Sequence, residues 1–245
     1  MPNRNVTRTT AEVDHLVIVA ASLGEGVQWC ERTLGITPGP GGEHPLMGTH
    51  NRLFNLSSQT FPRCYAEIIA LQPGAVASRT AAGQKRWFDM DDALLQSRVA
   101  RDGPQLLHFV ARVSGVVSAV KALAALRLDR GQPIAASRQT ASGLLRWRIT
   151  VRDDGQRLFF GGLPTLIQWG DAAERPEAAS HPVDSMAASG VVLESLQFSH
   201  PRAGTLSEAY DAIGLQTVQV MSGAPNLSAR LTTPLGSVTL QSRGR

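Results

Sequence analysis

The chain has 245 residues, of which 42% are hydrophobic, 18% are charged and 5% are aromatic, and its formal net charge is +4. This length and composition are typical of a globular protein with a sizeable core. The arginines are scattered along the chain and form no long Lys/Arg run with interleaved aromatics, which argues against nucleic-acid binding. No apolar run reaches the roughly 18 residues of a membrane span, so we expect no membrane insertion and a cytoplasmic location.

Cysteines and the N-terminus give no sign of secretion. Cys30 and Cys64 show neither a CxxC motif nor a spacing typical of zinc sites. Cys30 lies on the apolar side of a predicted helix, where we expect it to be a core residue. Residues 1–11 are predicted to form a flexible polar arm, because the apolar run that follows is short for a signal peptide.

The first repeat of the chain spans residues 12–72. Strand "VDHLVIVA" precedes a helix predicted at Leu23–Leu34, which Ser22 and Glu25 would begin as a capping box and Gly35 would end. The segments "GITPG", "HNRLFNL" and "YAEIIAL" then have the composition of strands. The order strand, helix and three strands predicts a βαβββ module.

The same order of elements is predicted twice more. A connector at 73–104, with a helical turn in "WFDMDDALLQSRVA", leads to a second module at 105–170 that opens with "QLLHFVARV". A loop at 171–189 leads to a third module at 190–243 that opens with "VVLESLQFSH" and whose helix is predicted to begin with a Thr205/Glu208 capping box. We therefore predict an α+β fold in which the first two modules form a curved mixed sheet around a cup, with a similar C-terminal module beside it. Exposed strand edges favour a homodimer.

Coordinating side chains recur in the first two modules. His15 and His108 lie in the two opening strands, and Glu67 and Gln168 lie in the two closing strands. A buried carboxylate is costly unless it is neutralised, hydrogen-bonded or bound to a cation. Two imidazoles and a carboxylate suit a divalent metal ion such as Zn, Ni, Co, Mn or Fe(II). The alternative is that the histidines are ordinary hydrogen-bonded residues and that Glu67 pairs with an arginine.

Further candidates lie in two segments that could contact a substrate. One runs from a glycine-rich loop into a strand, and the other places a tryptophan between two arginines in a strand. The alternatives are a structural turn for the first segment, and for the second an inward tryptophan with both arginines in water. The candidate substrate-binding residues are His44, Thr49, His50, Asn51, Arg146 and Trp147. No GxSxG elbow or P-loop is present, which argues against serine hydrolases and P-loop phosphate binding.

With these modules and side chains, the chain resembles the vicinal oxygen chelate superfamily, which includes glyoxalase I, extradiol dioxygenases and fosfomycin-resistance enzymes. "GGEHPLMGTHN", "YAEIIAL", "GLLRWRIT" and "LPTLIQW" with a later "HP" resemble, more narrowly, the bacterial glyoxalase-like domain family of the glyoxalase and bleomycin-resistance type. The resemblance covers about residues 13–201. It implies a metal in the cup with His15, Glu67, His108 and Gln168 as ligands. Glutamine departs from the usual glutamate and would weaken metal binding.

Two functions remain open. The first is a divalent-metal-dependent enzyme of the lyase, isomerase or dioxygenase type that acts on a small oxygen-chelating substrate. In that enzyme Glu67 would be the catalytic base only after it left the metal. The alternative is a metal-free protein that binds or sequesters a small molecule in the same cup.

Overall fold

A computed structural model describes residues 10–140, 143–170 and 180–244. Most of the predicted N-terminal arm (1–9) and of the predicted loop (171–179) lies outside the described residues. The elements in chain order are β1 (Ala11–Val19), α1 (Leu23–Leu34), β2 (Glu43–His44), β3 (Thr49–Asn55), β4 (Tyr65–Leu71), α2 (Ser78–Ala81), α3 (Ala93–Asp102), β5 (Gln105–Val113), α4 (Val116–Ala125), β6 (Gln132–Thr140), β7 (Gly143–Val151), β8 (Thr165–Trp169), β9 (Val192–Ser199), α5 (Ala203–Ile213), β10 (Val218–Met221), β11 (Asn226–Thr233) and β12 (Gly236–Gln241). Short 3-10 helices lie at Trp87–Asp89, Leu158–Gly161 and Pro182–Ser185.

The first two βαβββ modules join into one eight-stranded mixed sheet with the order β2-β3-β4-β1-β5-β8-β7-β6. In each module the last strand lies parallel to the first, as β4 does to β1 and β8 to β5. The two opening strands, β1 and β5, meet antiparallel at the centre. The predicted α+β architecture of paired modules in a curled sheet is confirmed.

The C-terminal segment repeats the order of elements but not the order of strands. Its sheet runs β10-β9-β11-β12, so the strand that follows the helix lies parallel to β9 and the last strand lies at the edge. The third module is therefore similar in sequence order and different in topology. The exact module boundaries stay a prediction.

Helix ends follow local chemistry where a cap is present. The predicted bounds of α1 are confirmed: the Ser22 hydroxyl accepts the amide of Glu25 at 3.2 Å, and Gly35 ends the helix at φ 72°. The Thr205/Glu208 capping box is wrong, because α5 begins two residues before Thr205, without a capping side chain.

The segment "GITPG" is not a strand, and it contributes only an isolated bridge from Gly39 to Leu53. The second strand of the module is instead the short β2. This difference matters for the site, because β2 carries His44 to the edge of β3, where it pairs with Thr49.

The eight-stranded sheet is apolar on both faces. Leu16 and Ile18 of β1 pack into the large core that also holds α1, α4, α5 and the C-terminal sheet. Val17 and Val19 point to the opposite face and pack with the connector around α3. Cys30 and Cys64 are buried free thiols of the large core. None of the helices in the described ranges is long and apolar enough to cross a membrane.

Candidate functional site

Two histidines and a glutamate converge on the concave face of the sheet. Nε2 of His15 on β1 lies 3.7 Å from Oε2 of Glu67 on β4, and Nε2 of His44 on β2 lies 3.8 Å from Oε1. The side-chain amide of Asn51 on β3 donates to Glu67 Oε1 at 2.5 Å. The carboxylate is 6% exposed, so these neighbours decide its orientation.

Asp14 holds the far side of the His15 ring. Its Oδ1 accepts the Nδ1 proton of His15 at 2.6 Å, and its Oδ2 accepts from Trp169 Nε1 at 2.8 Å and from His181 Nε2 at 3.0 Å. His181 must donate through Nε2, since its Nδ1 accepts the backbone amide of Val183. Asp14 therefore fixes the tautomer and the plane of both rings, as a buried carboxylate does for a catalytic imidazole.

A β-bulge makes this contact possible. In the pairing of β1 with β5, Val13 lies opposite Ala111 and His15 lies opposite Val110, so Asp14 is the extra residue. Strict alternation would send Asp14 and His15 to opposite faces of the sheet. The bulge breaks the alternation and lets neighbouring side chains bond to each other.

The hydrogen bond from His15 to Asp14 affects the electrostatics between His15 and Glu67. Because Nδ1 of His15 carries the proton donated to Asp14, a neutral His15 ring would present a lone pair at Nε2. That lone pair would face an oxygen of a carboxylate at 3.7 Å. A proton or another cation between the two acceptors relieves their repulsion. The site is therefore built to hold positive charge or to exchange a proton at this point.

The pKa values of two site residues move in ways that fit these roles. Burial would raise the pKa of Asp14, but the charge and hydrogen bonds of His181 and His15 outweigh burial and hold that pKa well below its usual range. Asp14 is thus an anion. Burial lowers the pKa of His44 to about 4 even though Glu67 acts in the opposite direction. His44 is thus a neutral imidazole at neutral pH.

These groups open into a small cavity of about 40 Å³, here named the inner cavity, lined by His15, His44, Asn51 and Glu67 together with Trp87, Trp147 and Trp169. Tyr65 stacks on the His15 ring with centroids 4.6 Å apart. A space of about 40 Å³ exceeds the roughly 15 Å³ that one water needs. The inner cavity therefore admits the small reactive end of a molecule, against an aromatic wall.

His108 does not join this cluster. Its Nδ1 donates to the carbonyl of Gly161 at 2.9 Å, and its Nε2 accepts the amide of Thr165 at 3.1 Å. Burial, followed by the charges of Arg130 and Arg157, holds the pKa of His108 well below its usual value. With both nitrogens bonded to backbone, His108 is a neutral structural residue in this arrangement.

Gln168 lies on the other face of the sheet. Its Oε1 accepts the amide of Val116 at 2.9 Å, where it caps the start of α4. The pairing of strands places Thr165, rather than Gln168, at the position that Glu67 has in the first module: Glu67 pairs with Val17 of β1, and Thr165 pairs with Val110 of β5. The expected equivalence of Gln168 and Glu67 is therefore wrong. The equivalent residue, Thr165, lies three positions earlier, and a shift by an odd number of residues moves a side chain to the opposite face of the sheet.

The predicted substrate-binding residues divide by face. His44, Asn51 and Trp147 line the inner cavity. Thr49 is buried behind them and bonds His44 Nδ1 at 3.1 Å, so it orients the ring. The other two, His50 and Arg146, do not line the inner cavity and lie at the alternate positions of β3 and β7.

Glycines of the loop before β3 allow the close packing at the site. A Cβ atom at Gly41 would lie 2.1 Å from the backbone oxygen of Asn51, and Gly48 has φ +60°. The amide of Gly42 donates to Asn51 Oδ1 at 2.7 Å. The loop thus fixes which end of the Asn51 amide points at Glu67.

Imidazole nitrogens and a carboxylate are ligand types that divalent metals accept, and a carboxylate behind a ligand histidine is a common supporting contact. His15, His44 and Glu67 match in type. Within residues 10–140, 143–170 and 180–244, however, no three His, Cys, Asp or Glu side chains are grouped so that they could hold a metal ion. The donors therefore fit a metal by chemistry but not by their present spacing.

Two residues of the site were missed in the sequence. Asp14 was missed because alternation assigns it to the wrong face, although a carboxylate directly before a strand histidine in "VDHLV" was the available signal. His181 lies within the predicted loop at 171–189, but it is 3% exposed and bonded to Asp14. Its position across the fold has no local signature.

Comparisons with known proteins agree with this architecture. The family model described as a glyoxalase-like domain matches residues 13–214. A hypothetical protein from Staphylococcus aureus has a similar structure, with a TM-score of 0.57 and 14% identity over 94% of this chain and 85% of that chain. No curated protein matches the chain.

Weaker structural similarities involve two named enzymes. Methylmalonyl-CoA epimerase from Mycobacterium tuberculosis aligns with a TM-score of 0.36 and 13% identity, covering 66% of this chain and 88% of that chain. A triple mutant of 4-hydroxymandelate synthase from Streptomyces coelicolor aligns with a TM-score of 0.45 and 13% identity, covering 95% of this chain and 62% of that chain. With TM-scores this low, neither similarity supports a functional argument.

Proposed function

We propose, since the chain belongs to the glyoxalase-like domain family, that it is an enzyme that moves a proton on a small oxygen-bearing substrate. Glu67 is the proposed catalytic residue. The observation that carries the proposal is the convergence of two imidazoles on one buried carboxylate, with a second buried carboxylate behind one of them. Such paired acid–base groups in an apolar cavity are typical of catalytic sites.

The hydrogen bonds indicate which atoms act. Asn51 occupies Oε1 of Glu67, so Oε2 is the oxygen that accepts a proton from the substrate. His15 Nε2 lies next to Oε2 and can take that proton on or return it. Asp14 stabilises the positive ring that results. This exchange supports lyase or isomerase chemistry, in which a carbon next to a carbonyl loses and regains a proton.

Metal dependence belongs to the proposal. A divalent ion would be held by His15, His44 and Glu67, in place of the set with His108 and Gln168, after a shift of these side chains. It would supply a Lewis acid for a substrate oxygen. Dioxygenase chemistry remains the alternative for such a loaded site, and we expect the protein to act as a cytoplasmic homodimer on a small molecule.

A second candidate function is metal-free binding or sequestration of a small molecule. It is favoured by the lack of a grouped metal-ligand trio in the described residues. It is also favoured by the aromatic wall of the inner cavity, since aromatic side chains bind apolar ligands without any chemistry.

Proton exchange and metal content separate these functions. The purified protein is incubated in D2O with short 2-oxo acids and hydroxyketones, and loss of the C–H signal is followed by NMR. Glu67→Gln should slow exchange by about 10²–10⁴-fold, whereas Arg52→Gln, on an exposed side chain of β3, should not. Equal exchange in Glu67→Gln and the parent protein would contradict the role of Glu67, and ligand binding without exchange would favour sequestration.

Metal analysis uses the same preparations. A metal-dependent enzyme should contain about one equivalent of a divalent ion, lose exchange with chelator and recover it with added metal. The ion should be absent from His15→Ala/His44→Ala and present in His108→Gln. Retention of the ion in the first variant would contradict the proposed ligands.

A further inference from the structure

A larger cavity adjoins the inner cavity, and a cationic side chain lies at the junction between them. The second cavity, here named the outer cavity, has a volume of about 860 Å³ and lies between the loop at 37–41, the β6–β7 hairpin and the segment at 182–189. Four residues line both cavities: Leu53, Arg138, Leu145 and Pro182. Three of the four are apolar, so Arg138 brings the charge to the junction.

Arg138 differs from two other half-buried arginines, which have carboxylate partners. Arg86 and Arg157 pair with Asp91 and Asp89. Nε of Arg138 is buried without a hydrogen-bond partner, and no carboxylate of the described residues pairs with its guanidinium. A buried donor left unpaired is costly, and an acceptor from outside the chain, either water or a ligand, would complete it.

The position of the guanidinium is set by a glycine. A Cβ atom at Gly42 would lie 2.5 Å from Nη1 of Arg138, so the group packs directly on bare backbone. The same loop residue bonds Asn51, which in turn bonds Glu67.

In the part of the chain that the structure describes, the lining of the outer cavity adds no second charge. Among the described residues, the lining besides Arg138 is apolar or neutral and polar, including Phe54, Met186, Asn55 and Ser189, and contains no carboxylate. A ligand that fits both cavities would therefore carry its negative charge at the junction and an uncharged body outside it.

We propose that Arg138 binds an oxyanion of the substrate, a carboxylate or a phosphate, so that the adjoining carbon reaches Glu67 while the uncharged remainder lies in the outer cavity. A guanidinium presents paired N–H donors that match both anions. The small volume of the inner cavity, about 40 Å³, limits the reacting part to a few atoms from the anion. The identity of the reaction rests on the function proposed above, but the anion site does not depend on it.

Binding of two simple anions tests this site. Pyruvate and inorganic phosphate are titrated separately into the full chain, and the fluorescence of the tryptophans at the inner cavity is measured. Arg138→Gln should raise the Kd of the bound anion about tenfold or more, and Arg138→Lys should raise it less, because the charge remains while the planar fork is lost. Arg52→Gln is the matched control and should bind as the parent protein does. Thermal melts confirm that each variant is folded.

Saturable binding of pyruvate that is lost in Arg138→Gln supports a carboxylate substrate, and the same result with phosphate alone supports a phosphate ester. Equal Kd values in Arg138→Gln and the parent protein, or no saturable binding of either anion by the parent protein, would overturn the proposal. Glu67→Gln should bind the anion at least as tightly, since it removes a nearby negative charge. Anion binding with no C–H exchange on any tested compound would leave this site standing and refute the proposed enzyme.

Discussion

The two halves of the eight-stranded sheet have histidines and bulges at equivalent positions, but the side chains around them differ. His15 lies opposite Val110, and His108 lies opposite Val17, so the two histidines are equivalent across the central pair of strands. Each follows a bulge: the pairing skips Asp14 on β1 and Leu107 on β5. The bulged residue is a carboxylate in the first half and a leucine in the second.

The closing strands differ in the same way. Glu67 meets the ring of His15, and its equivalent Thr165 meets the ring of His108. The first module therefore provides an ionisable pair, whereas the second provides a neutral and fully bonded histidine, two tryptophans of the inner cavity (Trp147 and Trp169) and Arg138. Matching positions in a repeat do not imply matching roles, because the partners of both ring nitrogens determine what a histidine can do.

The largest expected effect comes from giving the first module the bulged residue of the second. Asp14→Leu leaves three buried donors unpaired on His15, Trp169 and His181, and should lower the free energy of unfolding by about 3–5 kcal/mol. Urea denaturation measures this loss. Leu107→Met, which conserves volume, is the control and should cost less than about 1.5 kcal/mol. Equal losses in the two variants would remove the distinction between the bulges.

An intermediate effect is expected from pH. The pKa of His44 is lowered from 6.5 to about 4, mainly by burial. Between these pH values the unfolded chain therefore binds a proton at His44 that the folded chain does not bind. The free energy of unfolding should therefore fall as pH decreases from 6.5 to about 4, by about 3 kcal/mol from His44. His108 acts in the same direction. Urea denaturation across this range should show a flatter dependence in His44→Gln and in His108→Gln, and an unchanged slope in both would contradict the assigned neutral rings.

The smallest effect is expected at Thr165, the counterpart of Glu67. Thr165→Val removes the hydroxyl that contacts His108 and Arg130, and should lower the free energy of unfolding by about 1–2 kcal/mol. C–H exchange should continue at the parent rate, in contrast to Glu67→Gln. If Thr165→Val instead abolished exchange while the protein stayed folded, the second half would also take part in the chemistry.

Much of the fold could be predicted because its signals are local. Short, nearly continuous apolar runs marked β1, β4, β5 and β8, and the caps at Ser22 and Gly35 set the bounds of α1. The different strand order of the C-terminal sheet could not be predicted in this way. The order of elements along a chain does not specify which strand edge a returning strand joins.

About half of the candidate site was also accessible from the sequence. His15, Glu67, His44 and Asn51 were identified because polar side chains in apolar strands or beside glycines are unusual. Gln168 was assigned to the wrong position, because a slip of three residues between strands leaves the hydrophobic pattern plausible while it reverses the face.

What the sequence determined by itself was the repeated module and the presence of a histidine and a carboxylate in its first copy. Only the tertiary structure decided that a bulge turns Asp14 onto His15 and that both nitrogens of His108 are hydrogen-bonded to Gly161 and Thr165. It also decided that Nε of Arg138 is buried with no hydrogen-bond partner among the described residues. The physical reason is that periodicity is a property of a single strand. Register, bulges and contacts between distant strands depend on how strands pair, and that pairing is settled by the packing of the whole sheet.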